Sequence, residues 1–357
     1  MAQDYNVLVI NPGSTSTKIA LFTNGEDIWN HTIKHSADEL APYSHINDEL
    51  PMRLEMITHE LNRHKMPKRI DAVIARGGLC RPTPGGIYKV EGTLREDLLN
   101  SEFQHACNLG GLLAEKLAEK YDCQALIADP EVVDELSPEA RMTGLPAINR
   151  ISIFHALNTK AVARRYAESV GRKYEDLNLI VAHIGGGISV GAHYHGKVID
   201  VNNALNGDGP FSPQRAGSLP AAQLVDLCFS NRYSKPQIMK MLNGEGGLVA
   251  HLGSSDVNDI EKKARHGDEK CKSVLDSMLY HIACEIGARA AALSGDVDAI
   301  ILTGGIAHSD YCVESITRRI KFIAPVIVRA GEDELESLAQ NAFRLLNGKQ
   351  DYAVYPY

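Results

Sequence analysis

The sequence predicts an α/β protein built as two similar halves, and three observations carry that expectation. Three apolar, β-branched runs each end in a glycine turn: Val7-Leu8-Val9-Ile10 before Asn11-Pro12-Gly13, Leu179-Ile180-Val181-Ala182 before His183-Ile184-Gly185-Gly186-Gly187, and Ala299-Ile300-Ile301-Leu302 before Thr303-Gly304-Gly305. The first two look like copies, because Asn11-x-Gly13 superimposes on His183-x-Gly185 at nearly half the chain length. Helical stripes of apolar residues lie between the strands.

Short β-rich runs bounded by turn residues read as buried strands. Glycine at a strand end lets the backbone turn sharply or approach a ligand closely. After each of the first two turns a second strand is expected, over 18–22 and 188–193, so each half opens with a hairpin. Further strands are read at Ala72-Val73-Ile74 and over 125–128. Leu109, Leu112, Leu113 and Leu117 share one helix face, as do Phe154, Leu157, Ala161 and Val162, with Ser152 as the expected N-cap. Val274, Leu275, Met278, Ile282 and Ile286 make a third stripe. Leu335, Leu338, Ala339, Ala342 and Leu345 make a fourth, with Glu332, Asp333 and Glu334 leading it. The stretch GEGGLVAHLG (244–253) reads as a mobile loop.

At 357 residues, with 44% hydrophobic and 23% charged side chains, the chain is long enough for two domains and needs no disulfide or metal staple. A net charge of −8 argues against nucleic-acid or anionic-membrane partners. The seven cysteines are scattered with no C-x-x-C pair, so neither a disulfide framework nor a zinc knuckle is expected. MAQDYNVLVI lacks the pattern of a signal peptide. The uncharged stretch from Leu179 to Gly196 holds five glycines and three histidines, a poor membrane span. A cytoplasmic location follows as an expectation.

The most informative motif is Asn11-Pro-Gly-Ser-Thr-Ser-Thr-Lys18. It packs four hydroxyls, a glycine and a lysine into a turn after a buried strand. Hydroxyls and turn N–H groups cradle phosphate oxygens, and Lys18 adds positive charge. It is not a Walker A loop. His183-Ile-Gly185-Gly186-Gly187 and Thr303-Gly304-Gly305-Ile306 are further glycine turns, and three such turns point to a phosphate-rich ligand. Arg76 precedes Gly77-Gly78, Arg81 follows closely, and Arg215 sits in Ser-Pro-Gln-Arg-Ala-Gly217; arginine suits phosphate and carboxylate. Asp129 ends a strand, where a carboxylate either holds Mg²⁺ or caps a turn. His105 and His155 stand at helix starts.

These motifs, in this order, resemble the acetate kinase family, in its shorter butyrate branch. The resemblance is carried by VLVINPGSTSTKIALF (7–22), ARGGLCRPTPGGIY (75–88), HACNLGG (105–111), FHALNTKAVAR (154–164), VAHIGGGISVGAH (181–193), QRAGSLP (214–220) and ILTGGIAHS (301–309). It implies duplicated ribonuclease H-like βββαβαβα domains of the actin and hexokinase type, with ATP and substrate in an interdomain cleft. The implied domains are residues 1–148 with 335–357, and 149–334 carrying the adenosine motif. The implied reaction is reversible: ATP plus butanoate, or a short branched acid, gives ADP plus an acyl phosphate, with Mg²⁺ and in a homodimer or larger homo-oligomer. Asn11, Ser14, Ser16 and Lys18 match the first phosphate motif; His183, Gly185, Gly186 and Gly187 match the second; Gly304, Gly305 and Ile306 match the adenosine motif. Arg215 matches a catalytic arginine, His105 a transition-state histidine and Asp129 a metal-site aspartate.

The chain departs from that pattern in four places. Val73 stands at the first catalytic arginine of acetate kinases, so Arg76 or Arg81 takes that role, Arg76 being preferred. The second histidine of acetate kinases falls near Asn158-Thr159, which leaves its role vacant or with His155. The metal-site glutamate is Glu332 or Glu334. Gly186 replaces an asparagine of the acetate branch.

A carboxylate with a pKa of about 4–5 is ionised at neutral pH and needs no general base. The obstacle is an anion attacking an anionic phosphate, so catalysis rests on positioning and charge. Direct in-line transfer is expected. Two other readings fit the same scaffold: a sugar or polyol kinase with Asp129 as base, and an actin-like nucleotide-driven protein.

Overall fold

The computed structural model describes residues 4–101 and 105–356. The chain divides into two units, Met1–Val133 with Asp333–Tyr357, and Asp134–Glu332. Residues 134–148, read with the first half from the resemblance, lie in the second unit, where the Ser137 N–H donates to the Ile199 carbonyl at 2.8 Å.

In the first unit the described residues form a mixed sheet of β1 (Asn6–Pro12), β2 (Ser16–Thr23), β3 (Glu26–Lys34), β4 (Ala72–Arg76), β5 (Ile87–Lys89) and β6 (Gln124–Ala128), in the order β3-β2-β1-β4-β6-β5. β1, β2 and β3 are an antiparallel meander; β4 is parallel to β1 and β6 to β4. In the second unit β7 (Asn178–Ile184), β8 (Ile188–Tyr194), β9 (Lys197–Val201), β10 (Ala299–Gly304) and β11 (Val326–Ala330) run in the order β11-β10-β7-β8-β9. Again a three-stranded meander is followed by two parallel strands. The two sheets are one topology repeated, with β5 added in the first. By strand order the Gly304-Gly305 turn after β10 answers Gly77-Gly78 after β4.

The central strands are apolar on both faces because helices cover both. In the first unit Leu8, Ile10, Val73 and Ala75 pack with Ile57 and Leu61 of helix Leu50–Arg63 and with Leu109, Leu113 and Leu117 of helix Asn108–Tyr121. Helix Glu334–Leu346 contacts β1 and β4. In the second unit Ile180, Ala182, Ile300 and Leu302 meet helices Glu269–Ala292 and Asp310–Ile320. Leu179, Val181 and Ile301 meet Val162, Ala163 and Ala167 of helix Ala156–Ser169. Each of the Val, Leu and Ile side chains among them contributes about 1.5–3 kcal/mol on burial.

Two local expectations are corrected. Ser152 does not cap helix Ala156–Ser169: His155 occupies the N-cap, and Ser152 is buried in the preceding segment. The stretch 244–253 is not an open loop. It folds into a turn and the helix Gly247–Leu252, because Leu248 is drawn completely into the core.

Candidate active site

Ligand groups in open α/β sheets gather beyond the carboxyl ends of the parallel strands. In the first unit that edge carries Asn11 at the end of β1, Arg76 at the end of β4 and Asp129 just after β6. Arg76 Nε donates to Glu131 Oε1 at 2.5 Å, and its Nη1 lies 3.1 Å from Glu334 Oε1. The other oxygen of Glu334 accepts from Asn11 Nδ2 at 2.5 Å. Burial opposes the Arg76 charge, but the two carboxylates outweigh it and hold the guanidinium protonated well beyond its ordinary range.

Asn11 and Lys18 are cross-strand partners, so their side chains share a face, and Lys18 is exposed there. Ser14 is exposed and Ser16 half-buried in the same turn. His105 is exposed, with Nδ1 2.9 Å from Cys107 Sγ. Burial, then the neighbouring Glu131, pushes the Cys107 thiol well up, so it stays protonated. Asp129 is buried with φ of +39°, a left-handed conformation that aspartate tolerates at a cost. Its N–H donates to the Gly86 carbonyl at 2.9 Å. Arg81 is turned to Asp97, 2.8 Å away.

In the second unit His183 is the penultimate residue of β7 and is buried. Its Nδ1 lies 2.9 Å from Asn158 Oδ1 and its Nε2 3.0 Å from Glu332 Oε1, just beyond β11. His155 stacks on it, with ring centroids 3.8 Å apart and an interplanar angle of 10°. His155 Nδ1 is 2.9 Å from Ser189 Oγ. Arg215 lies against the Gly185-Gly186-Gly187 turn. Its Nη1 donates to the Ala204 carbonyl and its Nε to Asn243 Oδ1 at 3.3 Å. A Cβ on Gly187 would stand 1.8 Å from Arg215 Nη1, so only glycine admits the guanidinium. Burial lowers the Arg215 pKa. Ser212 Oγ donates to the Gly186 carbonyl at 2.7 Å, fastening one loop to the other.

The turn after β10 depends on Gly304, whose φ is +88° and whose Cβ would meet the Ile184 carbonyl at 2.5 Å. Gly305 faces open space, whereas the Ile306 side chain is core. Ile306 therefore offers any ligand only its backbone.

Among the described residues no group of three or more His, Cys, Asp or Glu is gathered tightly enough to hold a metal ion. Mg²⁺ asks for less: one or two carboxylates, with phosphate oxygens and water completing the shell. The carboxylates at or near these strand ends in the first unit are Asp129, Glu131 and Glu334, the last two on Arg76. Glu131 Oε2 is buried without a hydrogen-bond partner among the described residues. The two candidate glutamates belong to different surroundings, Glu334 with Arg76 and Glu332 with His183.

Sequence reasoning missed Arg53 and Glu131, and met Asn158 only as a place near which a family histidine is absent. Arg53 left a signal, since it interrupts the apolar stripe Leu50, Ile57, Leu61. Glu131 left none, because its partner Arg76 is distant in sequence.

The profile of the acetokinase family matches residues 147–334. The chain is 57% identical over 349 residues to a probable butyrate kinase of Phocaeicola vulgatus, covering 98% of this chain and 99% of that one. It is 48% identical over 353 residues to butyrate kinase 1 of Clostridium acetobutylicum, covering 98% and 99%. Among solved structures, the acetate kinase of Porphyromonas gingivalis superimposes with a TM-score of 0.80 at 21% identity, covering 96% of this chain and all of that one.

Proposed function

The chain belongs to the acetokinase family and is a short-chain carboxylate kinase, and on that premise we propose that butanoate, or a short branched acid, is its acceptor. The likeness to butyrate kinases over nearly the whole chain carries this reading. A carboxylate oxygen attacks the γ-phosphorus of ATP, the bond to the bridging oxygen breaks, and ADP leaves with the electron pair. No proton moves, because the acceptor is already ionised.

The residues take roles that suit this charge problem. We assign Asn11, Ser14, Ser16, Lys18, His183 and Gly185 to Gly187 to the phosphates, and Gly304, Gly305 and the Ile306 backbone to adenosine. Arg76, Arg215 and His105 neutralise charge in the transition state, with His155 supporting His183. Arg76 is preferred to Arg81 because it stands at the carboxyl end of β4, whereas Arg81 lies beyond any strand. Asp129 and Glu334 would hold Mg²⁺, with Glu332 the other glutamate in question. When bound, the ion screens the phosphate charge.

Two further expectations belong here. A homo-oligomer is supported by the exposed apolar side chains Val225, Phe229 and Met239 on and beside helices Ala221–Cys228 and Lys235–Leu242; sedimentation as a monomer would refute it. A cytoplasmic setting suits the free thiols. Among the described residues no helix is long and apolar enough to cross a membrane.

Hydroxylamine trapping of acyl phosphate tests the reaction, with Mg-ATP and acetate, propionate, butyrate, isobutyrate, valerate, glycerol and glucose. Hydroxamate should form best with butyrate or its branched neighbour. Phosphorylation of an alcohol with no hydroxamate from any acid would return the chain to the sugar-kinase reading.

A further inference from the structure

Arg53 is a buried charge that none of these roles uses. It lies in helix Leu50–Arg63 and is completely buried. Its Nε donates to Glu49 Oε2 at 2.8 Å, and its Nη2 is 2.7 Å from the same oxygen. Nη1 donates to the Gly13 carbonyl at 2.8 Å and to Thr17 Oγ1 at 3.1 Å. Longer bonds reach the carbonyls of Ser14 at 3.4 Å and Ser16 at 3.5 Å. Thr17 Oγ1 is also 2.8 Å from His35 Nε2. One guanidinium thus gathers the inner side of the whole turn between β1 and β2.

This arrangement controls what the turn shows on its outer side. A trans peptide holds its C=O and the next N–H on opposite sides. Carbonyls of Gly13 and Ser14 drawn toward Arg53 therefore direct the N–H groups of Ser14 and Thr15 away from it, and both residues are exposed. Successive N–H groups on one side of a turn form an anion-binding concavity. We propose that Arg53 is a positioning residue that shapes the turn into a phosphate cradle from beneath, without touching the nucleotide. The inference rests on the reading that this turn meets the phosphates of ATP.

The chemistry of the position favours this role over plain stabilisation. Arg53 stands on the apolar stripe of its helix, where a methionine would pack. A buried Arg–Glu pair is commonly no more stabilising than apolar residues of similar volume. A guanidinium offers planar donors in several directions at once, and lysine does not.

The test uses Arg53→Met, Arg53→Lys and Thr17→Val in the full chain. Four readouts are needed: thermal melting, hydrogen exchange of the turn, calorimetric titration with Mg-ATP, and hydroxamate kinetics. Arg53→Met should stay folded and lose exchange protection in the turn. It should bind ATP at least about tenfold more weakly and lose about a hundredfold in kcat, as a misplacement of roughly 1 Å can cost. KM for the carboxylate should not move. Arg53→Lys should recover melting temperature but not kcat. Wild-type ATP affinity and turnover in Arg53→Met would overturn the inference. If Arg53→Met does not fold, Thr17→Val decides: weaker ATP binding supports the inference, and an unchanged titration overturns it. Wild-type silence toward every carboxylate would sink the kinase reading alone, since the ATP titration still judges Arg53.

Discussion

Arg76 and Glu334 are ion-paired at 3.1 Å, although all of the second unit separates them in sequence. The pair stands where β1 and β4 end, and Asn11 shares the same glutamate. A cation is thereby fixed at the strand ends before any ligand arrives, which is the kind of preorganisation that phosphoryl transfer requires.

Arg76→Ala should therefore lower kcat by about 10²–10³. Because Glu131 and Glu334 keep the guanidinium charged far above neutrality, no limb of the pH–rate profile should belong to it. The hydroxamate assay reads both, and a kcat within a factor of a few of wild type would remove Arg76 from the mechanism.

Gly187→Ala should act through Arg215. The added methyl would stand 1.8 Å from Nη1, so the guanidinium must leave its place. A loss of about 10² in kcat is expected, matching Arg215→Ala, and the double variant should lose no more than either single one. Additive losses would show that the two residues act separately.

His193 sets an acid limit on stability. It is completely buried beside the Tyr174 hydroxyl, 2.7 Å from Nδ1. Burial, then the charges of Lys160 and Arg164, holds its imidazole well below the ordinary 6.5. The unfolded chain therefore binds a proton that the folded one refuses, and stability declines as pH falls below 6.5. Urea unfolding on either side of that pH should show the decline, and His193→Gln should flatten it. A variant as acid-sensitive as wild type would place the effect elsewhere.

The C-terminal segment holds the backbone at Arg81 and at β5. Tyr355 donates its hydroxyl proton to Asp97 at 2.7 Å and accepts the Arg81 N–H at 2.9 Å, while the Ala353 N–H donates to the Ile87 carbonyl at 2.8 Å. Tyr355→Phe removes a bond to a carboxylate and should cost about 1.5–3 kcal/mol. Removing the residues after Gln350 should lower the melting temperature further and reduce kcat. A truncated chain that melts and turns over as wild type would show the segment to be dispensable.

Asp129→Asn should raise the Mg²⁺ concentration needed for half-maximal activity. Chelation of the metal should abolish hydroxamate formation in the wild type and be reversed by added Mg²⁺. An unaltered Mg²⁺ titration in the variant would exclude Asp129 as a ligand.

The sequence alone determined the local grammar of this protein. The runs before Asn11, His183 and Thr303 are strands because β-branched apolar residues bounded by glycine turns have few other uses, and the likeness of the first two turns foretold the repeated hairpin. The family motifs likewise named Asn11, His183 and Arg215 as candidates, and Arg76 was preferred to Arg81 where the motif position holds Val73. Tertiary structure decided which groups meet. That Glu334 joins Arg76 and Asn11 follows from the packing of helix Glu334–Leu346 on β1 and β4, and that Glu332 joins His183 follows from a strand order in which only β10 separates β11 from β7. Arg53 beneath Gly13 and Thr17 depends in the same way on a helix packing under a hairpin. Propensity and period are properties of neighbours along the chain. A salt bridge or a buried guanidinium instead depends on the distance between remote segments, and only the packed sheets and helices fix that distance.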